Sequence, residues 1–228
     1  MQRMLTALVV IMALALFAPS AARAAGNAGV YIVHGIPGAD LGLDPALPVD
    51  ISVNGACAIT GFTFGTITDR VALPAGSYDI AISLSDGACG GPVAISAPGV
   101  QLAGGQSYAI VAHLTEGGAP TAGVFPFSPV SRPGTARVVA HHTAAAPIVD
   151  ITVARPGGAQ AATLQDVPNG ASAAVDFRPG SWGVAIAPGT GGAPVFEAAL
   201  NLKPKSTYLV FAVGSLGTGS FTVLLKAI

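Results

Sequence analysis

The sequence predicts an all-β fold, two tandem β-sandwich domains behind a removable N-terminal leader. Three observations carry that reading. Apolar and polar residues alternate in short runs. Turn formers are abundant, with 30 Gly and 18 Pro among 228 residues. One ordered set of motifs occurs twice. Hydrophobic residues make up 51% of the chain and charged residues only 9%, a balance that feeds a packed core rather than disorder.

The leader comes first. Met1-Gln2-Arg3 gives a short positive start, Leu5 to Ala18 is an apolar run, and Pro19-Ser20 ends it. Ala22 and Ala24 form an Ala-x-Ala site, so residues 1–24 read as a signal peptide cut after Ala24. The run is shorter than the ~20 apolar residues a spanning helix needs. No cysteine near the cut calls for a lipid anchor, and no second long apolar stretch follows. The expected location is periplasmic or secreted, without a membrane span in the mature chain.

Cleavage leaves 204 residues with 8 basic and 11 acidic side chains, because Arg3 and Arg23 are lost. Basic residues form no cluster, which excludes the phosphate-neutralising footprint of a nucleic-acid binder. Cys57 and Cys89 are the only cysteines. In an oxidising compartment such a pair reads as a disulfide, with two free thiols or half a metal site as the alternatives.

The repeat sets the domain organisation. Val30-Tyr31-Ile32-Val33-His34 matches Arg137-Val138-Val139-Ala140-His141, and Pro48-Val49-Asp50-Ile51 matches Pro147-Ile148-Val149-Asp150-Ile151. A turn feeding a strand, Pro74-Ala75-Gly76-Ser77-Tyr78, matches Pro179-Gly180-Ser181-Trp182; Ser107-Tyr108 matches Thr207-Tyr208. The landmarks lie 100 to 107 positions apart, so the first copy carries seven extra residues, assigned to a lengthened loop at Gly38–Leu47. The expected units are 25–127 and 136–228, joined by a proline-bearing, semi-rigid linker at 128–135.

Within each copy, Val49, Ile51 and Val53 share one strand face, as do Tyr78, Ile80 and Ile82, and Trp182, Val184 and Ile186. Asn54-Gly55 and Asp86-Gly87 mark tight turns. Short strands at this spacing predict sandwiches of the immunoglobulin-like kind.

At these residues the chain resembles a bacterial family known as domain of unknown function 4397. Val33-His34, Val49-Asp50 and Pro74-Ala75-Gly76-Ser77-Tyr78 carry the resemblance in the first copy. His141, Val149-Asp150, Pro179-Gly180-Ser181-Trp182 and Tyr208 carry it more loosely in the second. The chain departs from the pattern at Gly38–Leu47 and at Trp182, which stands for a tyrosine. The resemblance implies an exported β-domain and brings no catalytic residues.

No nucleophile elbow, phosphate-binding Gly-rich loop with Lys, or zinc-protease helix motif is present. The one candidate constellation is a His and an Asp at matched places: His34 with Asp50, and His141 with Asp150. It reads either as a metal or proton-transfer site or as Asp carboxylates pinning loops. The second is favoured, because a zinc site takes three or four ligands and each copy offers two. His141 and His142, adjacent on a strand, point to opposite faces. Tyr78, Trp182, Tyr108 and Tyr208 are expected in the cores. Phe62, Phe64, Phe125, Phe127 and the Gly38–Leu47 loop are where an exposed aromatic patch is sought. The expected function is a non-enzymatic binding or adhesion module of the cell envelope, without cofactor, meeting an envelope protein or polysaccharide. The alternatives are a self-associating structural spacer and a His/Asp metal-dependent hydrolase.

Overall fold

In a computed structural model the residues described are 26–129, 132–157 and 160–228. The leader at 1–24 lies outside them, as do Val130 and Ser131 of the linker. The described strands build two sandwiches of two four-stranded sheets each.

In the first sandwich, β1 (Asn27–His34), β4 (Val71–Pro74), β7 (Ser107–Leu114) and β8 (Pro120–Phe127) form a sheet ordered β4-β1-β7-β8. Facing it, β2 (Val49–Val53), β3 (Ala56–Phe62), β5 (Gly76–Leu84) and β6 (Val93–Leu102) are ordered β3-β2-β5-β6. The second sandwich repeats this plan. Its strands β9 (Ala136–His142), β12 (Ala171–Phe177), β15 (Thr207–Val213) and β16 (Thr222–Ala227) are ordered β12-β9-β15-β16. Opposite lie β10 (Val149–Ala154), β11 (Gln160–Val167), β13 (Gly180–Pro188) and β14 (Phe196–Leu202), ordered β11-β10-β13-β14. In both copies one strand pair is parallel, β1 with β7 and β9 with β15.

The period-two pattern dictates these strands. Val149, Ile151 and Val153 are buried while Asp150 and Thr152 are half-buried; on β13, Trp182, Val184 and Ile186 are buried in the same way. Asn54 and Gly55 turn β2 into β3 at φ 50° and 77°, the left-handed backbone that suits a two-residue hairpin. Two crossings between sheets in each sandwich carry an aromatic tip. Tyr78 Oη donates to the Pro74 carbonyl at 2.7 Å, and Trp182 Nε1 donates to the Arg178 carbonyl at 2.8 Å. Tyr108 and Tyr208 use their hydroxyls to accept from Ala103 N at 2.9 Å and Lys203 N at 2.8 Å. Burying the ring while satisfying its polar tip pins the corner.

The strand register refines the alignment of the copies. His34 sits beside Ala112 and His142 beside Ala212. His142, not His141, is therefore the counterpart of His34, and the first copy carries one more extra residue than an alignment on His141 gives.

The two sandwiches are stacked sheet on sheet. The outer faces of β1, β7 and β8 contribute Tyr31, Val33, Val111, Phe125 and Phe127 to an apolar layer completed by Val139, Leu209, Phe211 and Val213 of the second copy. This explains why every residue of β7 and β15 is buried. Their sequences, Tyr108-Ala109-Ile110-Val111-Ala112 and Tyr208-Leu209-Val210-Phe211-Ala212, do not alternate in polarity, as expected of a strand covered on both faces. Polar contacts rim the layer. Lys226 Nζ pairs with Asp69 at 2.8 Å, Asn169 Nδ2 donates to the carbonyls of Leu114 and Ala144, and the Gly214 amide donates to the Gly35 carbonyl at 3.2 Å.

The inserted loop belongs to the same seam. It opens with a 3-10 turn at Gly38–Leu41 and folds back so closely that a Cβ on Gly38 would overlap the Asp44 carbonyl oxygen. Its Asp40 carboxylate accepts from Thr218 Oγ1 and Ser220 Oγ of the second copy, both at 2.6 Å.

Candidate functional site

The sequence-predicted positions come first. Asp50 is wholly buried. Its Oδ1 accepts from Gly61 N at 2.8 Å and Ser85 Oγ at 2.5 Å; its Oδ2 accepts from the amides of Asp86, Gly87 and Cys89 at 3.0–3.2 Å. The Ser85 hydroxyl first, then the Gly61, Cys89 and Asp86 amides, hold this carboxyl well below the usual range. Cys89 is bonded to Cys57, so the disulfide and the carboxylate clamp the same β5–β6 loop onto β3. Asp150 has one comparable bond, accepting from Asp166 N at 2.8 Å.

Among the described residues, no hydrogen bond joins a histidine to these carboxylates. His34 points into the first core, stacked on Phe62 with centroids 6.0 Å apart, its Nδ1 accepting from Ile36 N at 3.4 Å. His141 lies in the seam, stacked on Phe211 at 4.4 Å and edge-on to Phe125 of the other sandwich at 5.1 Å. Its Nδ1 donates to the Val210 carbonyl at 3.1 Å, which fixes the tautomer. Burial pushes both His34 and His141 down to about 4. Burial also lowers His113 and His142, whose rings donate to the Leu114 and Pro147 carbonyls. Among the described residues, no group of three or more His, Cys, Asp or Glu is placed to hold a metal ion.

The aromatic residues considered for a surface patch are mostly committed elsewhere. Phe62 is in the first core, Phe125 and Phe127 are buried in the seam, and Phe64 packs at its edge.

A different site emerges between the sheets of the second sandwich. There a cavity of about 270 Å³ is lined by Ile151, Val153, Phe177, Trp182, Ile186 and Leu200, among others, with no charged side chain in the lining. The equivalent space in the first sandwich is about 30 Å³. Part of the difference is legible residue by residue. The register that equates Val30 with Val138 also equates Ile32 with Ala140, so a β-branched side chain facing the first core is a methyl in the second. Packing along one flank differs too. β6 lies against β8 and closes the first sandwich, whereas β14 and β16 make no comparable contact. Sequence reading missed this cavity because it is a property of volumes summed across two sheets. The signal available was the alanine content of β12 and β14, Ala173, Ala198 and Ala199 included.

Residues 28–152, more than half of the chain, match the family described as Domain of unknown function (DUF4397). No curated protein matches the sequence. Two solved structures show distant likeness. The Bacillus anthracis TIE protein is 8% identical, with 83% of this chain and 33% of that chain covered at a TM-score of 0.27. A candidate cell adhesion protein from Bacteroides ovatus is 9% identical, with 90% and 97% covered, also at 0.27. The chain spans about a third of the first protein's length, and overlap at that score carries no argument here.

Proposed function

Since the chain belongs to the family described as Domain of unknown function (DUF4397), whose description assigns no activity, we propose its role from its own site: an exported binding module of the cell envelope that works without catalysis. The observation that carries this reading is the hollow core of the second sandwich beside the filled core of its twin. The cavity is walled chiefly by aliphatic and aromatic side chains and offers desolvation and shape; the one titratable residue on its wall, His141, has its ring stacked on Phe211 and its Nδ1 given to the Val210 carbonyl. The His and Asp positions are read as structural: Asp50 spends both oxygens on loop amides and Ser85, and His141 is sealed in the seam.

Export is supported by the Cys57–Cys89 disulfide, which persists in oxidising compartments, and by the leader read at 1–24. Among the described residues no helix is long and apolar enough to cross a membrane. The units taken are 25–127 and 136–228, with 128–135 between them. The stacked seam favours a second role alongside binding, that of a stiff spacer, because the sandwiches share a continuous apolar layer.

The test is capture from the native envelope. A tagged chain is isolated without denaturation and weighed by native mass spectrometry, in parallel with cross-linking. A bound small molecule or a recurrent partner supports the binding module. Recovery of the bare chain or of its own oligomers, with no ligand, overturns it in favour of the spacer.

A further inference from the structure

Resting on the binding-module reading, we infer that the second sandwich takes an uncharged aliphatic chain, which slides in between the edge strands β14 and β16. Three independent features converge on this.

The way in is marked by a side chain whose direction and exposure disagree. Leu225 pairs with Val210 on β15, a residue that lines the cavity, so it faces inward; yet it is 47% exposed. On the opposite edge, Ala198 of β14 borders the cavity and is only half-buried. In the first copy the corresponding flank is shut by β6 lying on β8. A slot between two sheet edges admits a thin chain and not a globular or branched headgroup.

The size is that of a short chain. Scaling from the ~150 Å³ apolar cavity that takes benzene, this space of about 270 Å³ holds roughly ten carbons.

The chemistry excludes a charged occupant. The lining has no cation or anion, and the nearest charges on the two lips are turned away. Glu197 is exposed on the outer face of β14, and Lys226 is engaged with Asp69 of the first sandwich. A carboxylate drawn into the slot would lose its hydration and meet no partner, whereas a neutral chain loses nothing. Both an acyl tail of a membrane lipid and a free aliphatic molecule present this chemistry.

The experiment titrates the purified chain calorimetrically with 1-decanol and with decanoate at pH 8. The expected result is saturable decanol binding at one site per chain, with decanoate at least tenfold weaker. Ala140→Ile restores the residue that fills the first core, and is expected to weaken decanol at least tenfold while the thermal midpoint holds or rises. Ala198→Leu serves the same purpose should Ala140→Ile not fold, and Ile32→Ala in the first copy leaves decanol binding unchanged. Flotation with neutral phosphatidylcholine vesicles separates the sources. Co-flotation lost in Ala140→Ile assigns a lipid tail; decanol binding without co-flotation assigns a free ligand. Either result supports the proposal. It is overturned by no saturable decanol binding, by equal binding of decanoate, or by cavity-filling variants that bind like the parent. A charged or carbohydrate ligand captured from the envelope would remove this inference and leave the binding module standing.

Discussion

At the scale of single residues, the buried titratable groups set how the protein responds to acid. His34 and His141 take a proton near pH 6.5 in the unfolded chain but only near 4 in the native one. The native state therefore binds fewer protons in that interval, and stability falls as pH drops from about 6.5 to 4. By pH 5 each histidine accounts for about 2 kcal/mol of that loss. Asp50 works with the same sign at lower pH. Its folded value is depressed below 3.8, so its contribution is intact above that pH and lost only in stronger acid. Urea unfolding at pH 7.5 and 5.0 is expected to show the histidine loss, and His141→Phe to show a smaller one while keeping the stack on Phe211. Asp50→Asn is expected to lower the thermal midpoint more than Asp150→Asn, because Asp50 accepts five bonds where Asp150 has one described acceptor contact.

At the scale of elements, the loop between β5 and β6 is held by a covalent tie and an ionic hub within a few residues. Cys57 and Cys89 are 32 positions apart, and closing a loop of that length constrains the unfolded chain by about 3–4 kcal/mol. The double variant Cys57→Ser/Cys89→Ser is expected to lose roughly that much in denaturant unfolding, with the decanol binding proposed for the second sandwich retained. Strands, hairpin turns and the disulfide pair were legible in the sequence because each depends on residues close along the chain or on simple periodicity. Val49-Asp50-Ile51 announces its faces, and Asn54-Gly55 announces its turn. What was not legible depends on what lies across a gap. The valine-rich runs before His34 and His141 align those two histidines, and only strand pairing reveals the one-residue offset. The Gly38–Leu47 loop looked free for a ligand because Asp40 finds Thr218 and Ser220 some 180 positions away. Phe125 and Phe127 looked like surface candidates because the surface covering them belongs to another sandwich. The unbroken apolar runs of β7 and β15 were the overlooked clue, since a strand with one wet face would alternate.

At the scale of the molecule, the seam decides what unfolds together. Phe211 is fully buried there, and Phe211→Ala is expected to cost about 3–5 kcal/mol. The loss should appear as destabilisation of both sandwiches in one transition, followed by circular dichroism and by tryptophan fluorescence from Trp182. Residues 25–129 expressed alone would present the faces of β1, β7 and β8 to water and are expected to dimerise or aggregate in sedimentation velocity, where the full chain would not do so through that face. Both outcomes follow from one apolar layer shared by the two sandwiches. Welding the two sandwiches along one face leaves their interiors unequal, one close-packed and the other roomy.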